Sequence, residues 1–118
     1  MKIAIVGGRD FNDYELLCMW ACTIDEFSPM PHTIVSGGAK GADTLGAKFA
    51  DDNKLSKEIF LPNWKELGKS AGFIRNQQIV DACDIVLAFW DGKSKGTKDT
   101  INRARIAKKP TILVYYQS

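Results

Sequence analysis

Three short stretches hold most of the residues that could bind a charged small molecule: Gly7-Gly8-Arg9-Asp10, Ser36-Gly37-Gly38-Ala39-Lys40-Gly41-Ala42-Asp43 and Asp91-Gly92-Lys93-Ser94-Lys95-Gly96-Thr97. Glycine lets a backbone approach a phosphate closely and turn through positive φ. A loop that runs into a helix adds free N–H groups and the positive end of a dipole. One glycine pair after a strand would mean little, because turns need glycine anyway. Three such stretches read as a phosphate or diphosphate cradle, with Gly8, Ser36, Gly37, Gly38, Gly41, Ala42, Gly92, Ser94, Gly96 and Thr97 as candidate contacts. Arg9, inside the first stretch, and Arg75, followed by Asn76, supply guanidinium forks suited to phosphate. Lys40, Lys93 and Lys95 add charge that solubility alone would also explain.

The acids and aromatics nearby have a bland reading beside the functional one. Asp43 stands where a helix begins, so capping is sufficient reason for it, although a carboxylate there also suits a ribose hydroxyl. Asp91 precedes a glycine, a place favoured both by turns and by ligand-binding carboxylates. Asp43 and Asp91 are therefore the candidate catalytic residues. Trp90 and Trp64 are candidates to stack on a base, whereas Trp20 falls on the apolar stripe of a helix. Neither GxGxxG at the first strand nor GxxxxGK[ST] is present, which argues against a NAD dehydrogenase and a P-loop ATPase. His32 is the single histidine, so neither a transition-metal site nor a histidine-activated nucleophile is expected, and no cofactor is assigned.

Alternating elements must position these residues. Apolar, β-branched runs at Lys2–Val6, Thr33–Ser36, Lys57–Leu61, Asp84–Phe89 and Thr111–Tyr115 read as strands; the second, fourth and fifth are nearly continuous, as in a sheet covered on both faces. Helical spacing of Leu16, Leu17, Trp20, Ile24 and Phe27, then of Leu45 and Phe49, and the segments Gly72–Cys83 and Thr97–Lys108 fill the intervals. The alternation predicts an α/β Rossmann-like three-layer domain over residues 1–118. Its five-stranded parallel sheet takes the order 3-2-1-4-5, and its glycine stretches all fall at the carboxyl ends of strands. Asn63–Ala71 reads as a longer, irregular connection and a candidate lid.

Composition narrows the classes further. Of 118 residues, 45% are hydrophobic and 25% charged, values of a soluble globular chain. The net charge of +2 leaves no field for general nucleic-acid binding, so nucleic acid is not an expected partner. Cys18, Cys22 and Cys83 lack metal or disulfide spacing and read as reduced core thiols of a cytoplasmic protein. No apolar run approaches the ~18 residues of a membrane span, so no membrane partner is expected. A homodimer through a face carrying Trp20 or Phe27 is a further expectation.

Four motifs in this order, GGRDF at Gly7–Phe11, SGGAKGAD at Ser36–Asp43, GFIRNQQIVDACD at Gly72–Asp84 and AFWDGKSKGT at Ala88–Thr97, resemble the YspA-like branch of the SLOG superfamily. That superfamily is similar in fold to the lonely-guy phosphoribohydrolases, the DNA-processing A protein and the ligand-sensing domain of some ion channels. The resemblance implies recognition of a nucleotide or nucleotide-derived molecule, of the NAD, ADP-ribose or cyclic-nucleotide kind, by a sensor or sequestering module. The alternative it implies is a hydrolase that cleaves an N-glycosidic or phosphate linkage. Arg75 matches the arginine that the phosphoribohydrolases carry at the head of the third helix, and Gly96-Thr97 matches the GT of their PGGxGTxxE loop. The glutamate position then falls on Thr100, with Asp99 one residue away and turned by about 100° on a helix. Loss of that carboxylate ranks binding above catalysis.

Overall fold

The computed structural model describes residues 1–27 and 32–117. Strands β1 (Lys2–Gly7), β2 (Thr33–Ser36), β3 (Ser56–Ile59), β4 (Ile85–Trp90) and β5 (Thr111–Tyr115) alternate with helices α1 (Tyr14–Phe27), α2 (Ala42–Asp52), α3 (Trp64–Leu67), α4 (Ala71–Ala82) and α5 (Lys95–Ile106). The sheet is wholly parallel in the order β3-β2-β1-β4-β5, as the sequence predicts. In register, Ile3 lies between Ile34 on β2 and Ile85 on β4.

Alternation along the central strands divides the core. Ile3 and Ile5 of β1, Ile34, Leu87 and Phe89 meet Leu17, Ala21 and Ile24 of α1 and Phe49 and Ala50 of α2. Ala4, Val6, Val35, Val86 and Ala88 face the other way, onto Ile79 and Val80 of α4 and Ile101 and Ala104 of α5. Side chains of successive residues point to opposite faces of a strand, so the central residues of β1 and β4 must all be apolar, and the four central residues of each are buried.

Several expectations change. The fifth strand, at the edge where the predicted order puts it, is mostly only half-buried rather than covered on both faces. Asn63–Ala71 is not irregular: Asn63 caps α3 by accepting from the Glu66 N–H, and a 3-10 turn at Gly68–Ser70 joins it to α4. A single helical turn is too short to leave a periodic signature. Cys83 is buried and Cys18 half-buried, but Cys22 is exposed, because α1 turns Leu17, Ala21 and Ile24 inward and the residue after Ala21 about 100° away. Trp20 packs half-buried against the core, and the Phe27 side chain lies outside what is described. Exposed large apolar side chains are Met1, Met19 on α1, Ile59, Leu61, Trp64, Leu67, Phe73, Ile74, Ile106 and Tyr115. Among the described residues no helix is long and apolar enough to cross a membrane.

Candidate functional site

β1 and β4 are neighbours in the sheet, yet the chain leaves them toward opposite faces, so their carboxyl ends open a crevice at the reversal of strand order. A cleft of about 450 Å3 occupies it. Its walls are Gly8, Arg9 and Asp10 after β1, Ala39 and Asp43 at the start of α2, Arg75, Asn76 and Ile79 of α4, and Asp91, Ser94, Gly96, Thr97 and Thr100 around the start of α5. The three glycine-bearing stretches thus meet at one cavity, joined by α4.

Arg75 is the most firmly held cation there. Its Nη1 donates to the Gly37 carbonyl at 2.6 Å and its Nε to Asn76 Oδ1 at 3.1 Å. A guanidinium has five N–H donors in a rigid fork, so two fix its orientation and the others remain for a ligand. Asn76 is itself only 6% exposed, and its amide donates to Asp99 Oδ2 at 3.0 Å. Asp99 accepts as well from Arg103 Nε at 2.7 Å, and Arg103 Nη1 donates to Gln77 Oε1. Arg75 and Asn76 end a polar chain that runs from the cleft to the outer side of α4 and α5.

Asp43 lies at the floor of the cleft, 5% exposed. Burial pushes its carboxyl up to about 6, against the opposing pull of the Ala39 N–H, Arg75, the Gly37 N–H and Arg9. The positive end of α2 therefore fails to keep this acid in the ordinary carboxylate range, because desolvation outweighs the dipole. Asp91 is placed differently: its Oδ1 accepts from the Lys93 and Ser94 N–H groups, both at 2.8 Å, which folds the β4–α5 loop around it. Ser94 then caps α5 by accepting from the Thr97 N–H, and its Oγ lies 3.1 Å from Thr97 Oγ1, giving that wall a row of hydroxyls that Thr100 extends.

Other predicted residues hold the loops rather than line the cavity. Ser36 Oγ donates to the Asp43 carbonyl at 2.9 Å. Ala42 N–H donates to the Gly8 carbonyl, and Gly8 N–H to Phe89, so the first loop is stitched to both neighbours. Gly41, at φ +79°, is where a Cβ would run into the Gly8 carbonyl oxygen and the Arg9 backbone. Gly37 is wedged between the Arg75 guanidinium and the Asp43 carboxylate, and Gly38 faces Leu61 and Ile59 rather than the cleft. Gly92 and Trp90 also stand outside the lining, the Trp90 indole N–H donating to the Ser94 carbonyl and its ring packing on Tyr115. Trp64 is exposed on α3, and no residue of 63–71 lines the cleft. Asp99 is turned away, as its helical position predicts, while Thr100 takes the cleft position. His32 is buried at the amino end of β2, the other end of the sheet, with Nε2 2.9 Å from Asp25 Oδ1.

Asp10, Ile79, Thr100 and Tyr116 were not among the candidates. Tyr116 follows β5, packs edge-on against Phe11, and donates from its hydroxyl to Asp10 Oδ1. Burial, and then the Asp10 carboxylate, push the Tyr116 phenol up, so it stays a donor at any ordinary pH. Among the described residues no group of three His, Cys, Asp or Glu could hold a metal ion.

Residues 1–67 match the model of the family described as YspA, cpYpsA-related SLOG. That stretch carries the first two glycine loops of the cleft and ends before α4, β4 and α5 supply the rest. The chain is also similar to the Gene 61 protein of Mycobacterium phage D29, with 32% identity over 119 residues, covering 94% of each chain. No solved structure matches.

Proposed function

The chain belongs to the YspA, cpYpsA-related SLOG family, whose membership suggests a nucleotide-related function, and on that footing we propose that it binds a nucleotide or nucleotide-derived small molecule between the ends of β1 and β4, as a sensor or sequestering module. One observation carries the reading: Arg75 is anchored at both Nε and Nη1 in a cleft of about 450 Å3, the size range of small-molecule sites. An arginine oriented before the ligand arrives loses little freedom on binding a phosphate. Arg9 at the rim adds a second positive charge, the hydroxyls of Ser94 and Thr97 add donors, and Asp91 or Asp43 suits a ribose hydroxyl.

A second reading, hydrolysis of the bound molecule, is favoured by Asp43 alone. A carboxyl at about 6 can both give and take a proton near neutrality, and Asp91 shares its cleft. Binding ranks first because Thr100 presents a hydroxyl where the related phosphoribohydrolases are expected to carry a glutamate. The experiment is incubation of purified protein with AMP, ADP-ribose, NAD and cyclic nucleotides, following the melting temperature and then the recovered compound by chromatography. A compound that raises the melting temperature and returns intact supports binding. Release of base or phosphate makes the protein an enzyme, and no shift with any compound overturns both readings.

A further inference from the structure

Asp99 faces away from the cleft, and its ion pair with Arg103, one helical turn on, would by itself be a contact of little consequence. Its other partner lies deeper. The same Oδ2 that accepts from Arg103 Nε at 2.7 Å accepts from the buried Asn76 amide at 3.0 Å.

An asparagine amide has nearly the same shape either way round, so its neighbours decide which end points where. A carboxylate only accepts, which turns Asn76 Nδ2 toward Asp99 and leaves Oδ1 to accept from Arg75 Nε at 3.1 Å. Turned over, the amide would set an N–H against the Nε–H of the guanidinium, two donors face to face. Arg75 would then keep only the Gly37 carbonyl and swing about one contact instead of being fixed by two. The Gly96 carbonyl also accepts from Nδ2, but at 3.4 Å it is a weak selector. Arg103, anchored at Gln77 Oε1 at 3.0 Å, holds the Asp99 carboxylate from the side away from the cleft.

We propose that Asp99 is a positioning residue: held by Arg103, it fixes the Asn76 amide in the one orientation that braces Arg75, and so sets how tightly the cleft holds a phosphate. This rests on the nucleotide reading above and adds the residues that tune it from outside the cavity. An acid that points away from the ligand thus acts on it through two side chains.

The test titrates the whole chain with AMP, ADP-ribose, NAD and cyclic AMP by calorimetry, and follows the Arg75 Nε–H resonance, identified by its loss in Arg75→Lys, by NMR without ligand. Asp99→Ala should weaken whichever compound binds by about tenfold, and its Arg75 Nε–H should exchange with water faster than in the wild type. In an Asn76→Ala background the same change should cost no further affinity, because the path is already cut. Arg103→Met should weaken binding about threefold and speed the same exchange, and it keeps the test intact where Asp99→Ala does not fold. Wild-type affinity or wild-type exchange in the folded variant, or a loss that adds in full to that of Asn76→Ala, would overturn the positioning role and leave the nucleotide reading standing. If none of the four compounds binds the wild type, the nucleotide reading falls, and the exchange of the Arg75 Nε–H alone decides the positioning role.

Discussion

The two ends of the sheet use charge in opposite ways. At the amino end, charges are closed on one another or on the backbone: Lys2 Nζ meets Glu58, the Lys2 N–H meets Asp84 Oδ2 at 2.7 Å, and Lys109 Nζ meets the Cys83 carbonyl at 2.7 Å. At the carboxyl end, Arg9, Asp10, Asp43, Arg75 and Asp91 surround a cavity, and burial there holds one carboxyl far above its usual range. Stability alone favours the first arrangement. The second sets charge around a cavity at a cost, the kind of perturbation that clusters at functional sites.

The largest test of this contrast is Gly41→Ala. Its Cβ must displace the Gly8 carbonyl at a positive φ, so thermal and urea unfolding should show a loss of about 4 kcal/mol, together with loss of ligand-induced stabilisation. Wild-type stability would show that the two loops do not need their close approach. Arg75→Ala should come next, leaving the melting temperature within a few degrees but weakening the phosphorylated ligand by about ten- to a hundredfold, roughly 1.4–2.7 kcal/mol. Unchanged affinity would remove Arg75 from the site.

Asp43→Asn should act in the other direction. The Asp43 carboxyl is raised in the folded state from 3.8 to about 6, so the folded chain binds the proton more strongly than the unfolded one. The stability this contributes is fully present below about pH 4 and is lost as pH rises through about 6. Stability should therefore decline across that window in the wild type, and the step should vanish in Asp43→Asn, which gains about 2 kcal/mol at pH 7. Identical pH profiles for both proteins would show that Asp43 is not strained. The smallest effect belongs to the other end: Lys2→Ala breaks a half-exposed ion pair and should cost about 0.5 kcal/mol, less at high salt, without touching binding. A large loss of affinity in Lys2→Ala would erase the contrast between the ends.

Much of this was legible in the residues. β-branched runs marked the strands, their alternation with helices implied the parallel sheet and its order, and the strand ends put the glycine stretches at one edge. Glycine, however, leaves the same signature whether the close neighbour is a ligand or the chain's own backbone, which is why Gly37, Gly38 and Gly41 read as a cradle while they pack against Arg75, Leu61 and Gly8. Asp10 carries no such mark in the sequence, because its orientation depends on Tyr116, more than a hundred residues further along the chain. Thr100 drew notice only for the carboxylate it lacks, since a threonine on a helix carries no mark of facing a cavity. Trp90 has the sequence signature of a base-stacking aromatic, and no residue pattern shows that Ser94 and Tyr115 engage it first.

The pairing of Ile3 with both Ile34 and Ile85 has a consequence for synthesis. A chain emerging from the ribosome makes β1 first but waits for β4 before that strand gains its second neighbour. Until then β1 offers an open edge, apolar from Ile3 to Val6, on which other nascent chains can pair, the period of greatest exposure to aggregation. Both walls of the crevice meet only after β4 arrives, so a truncated chain carries the first two loops without the capacity to close on a ligand. On the proposed reading, a ligand would be captured by chains that carry both walls and not by fragments, and would selectively preserve the former.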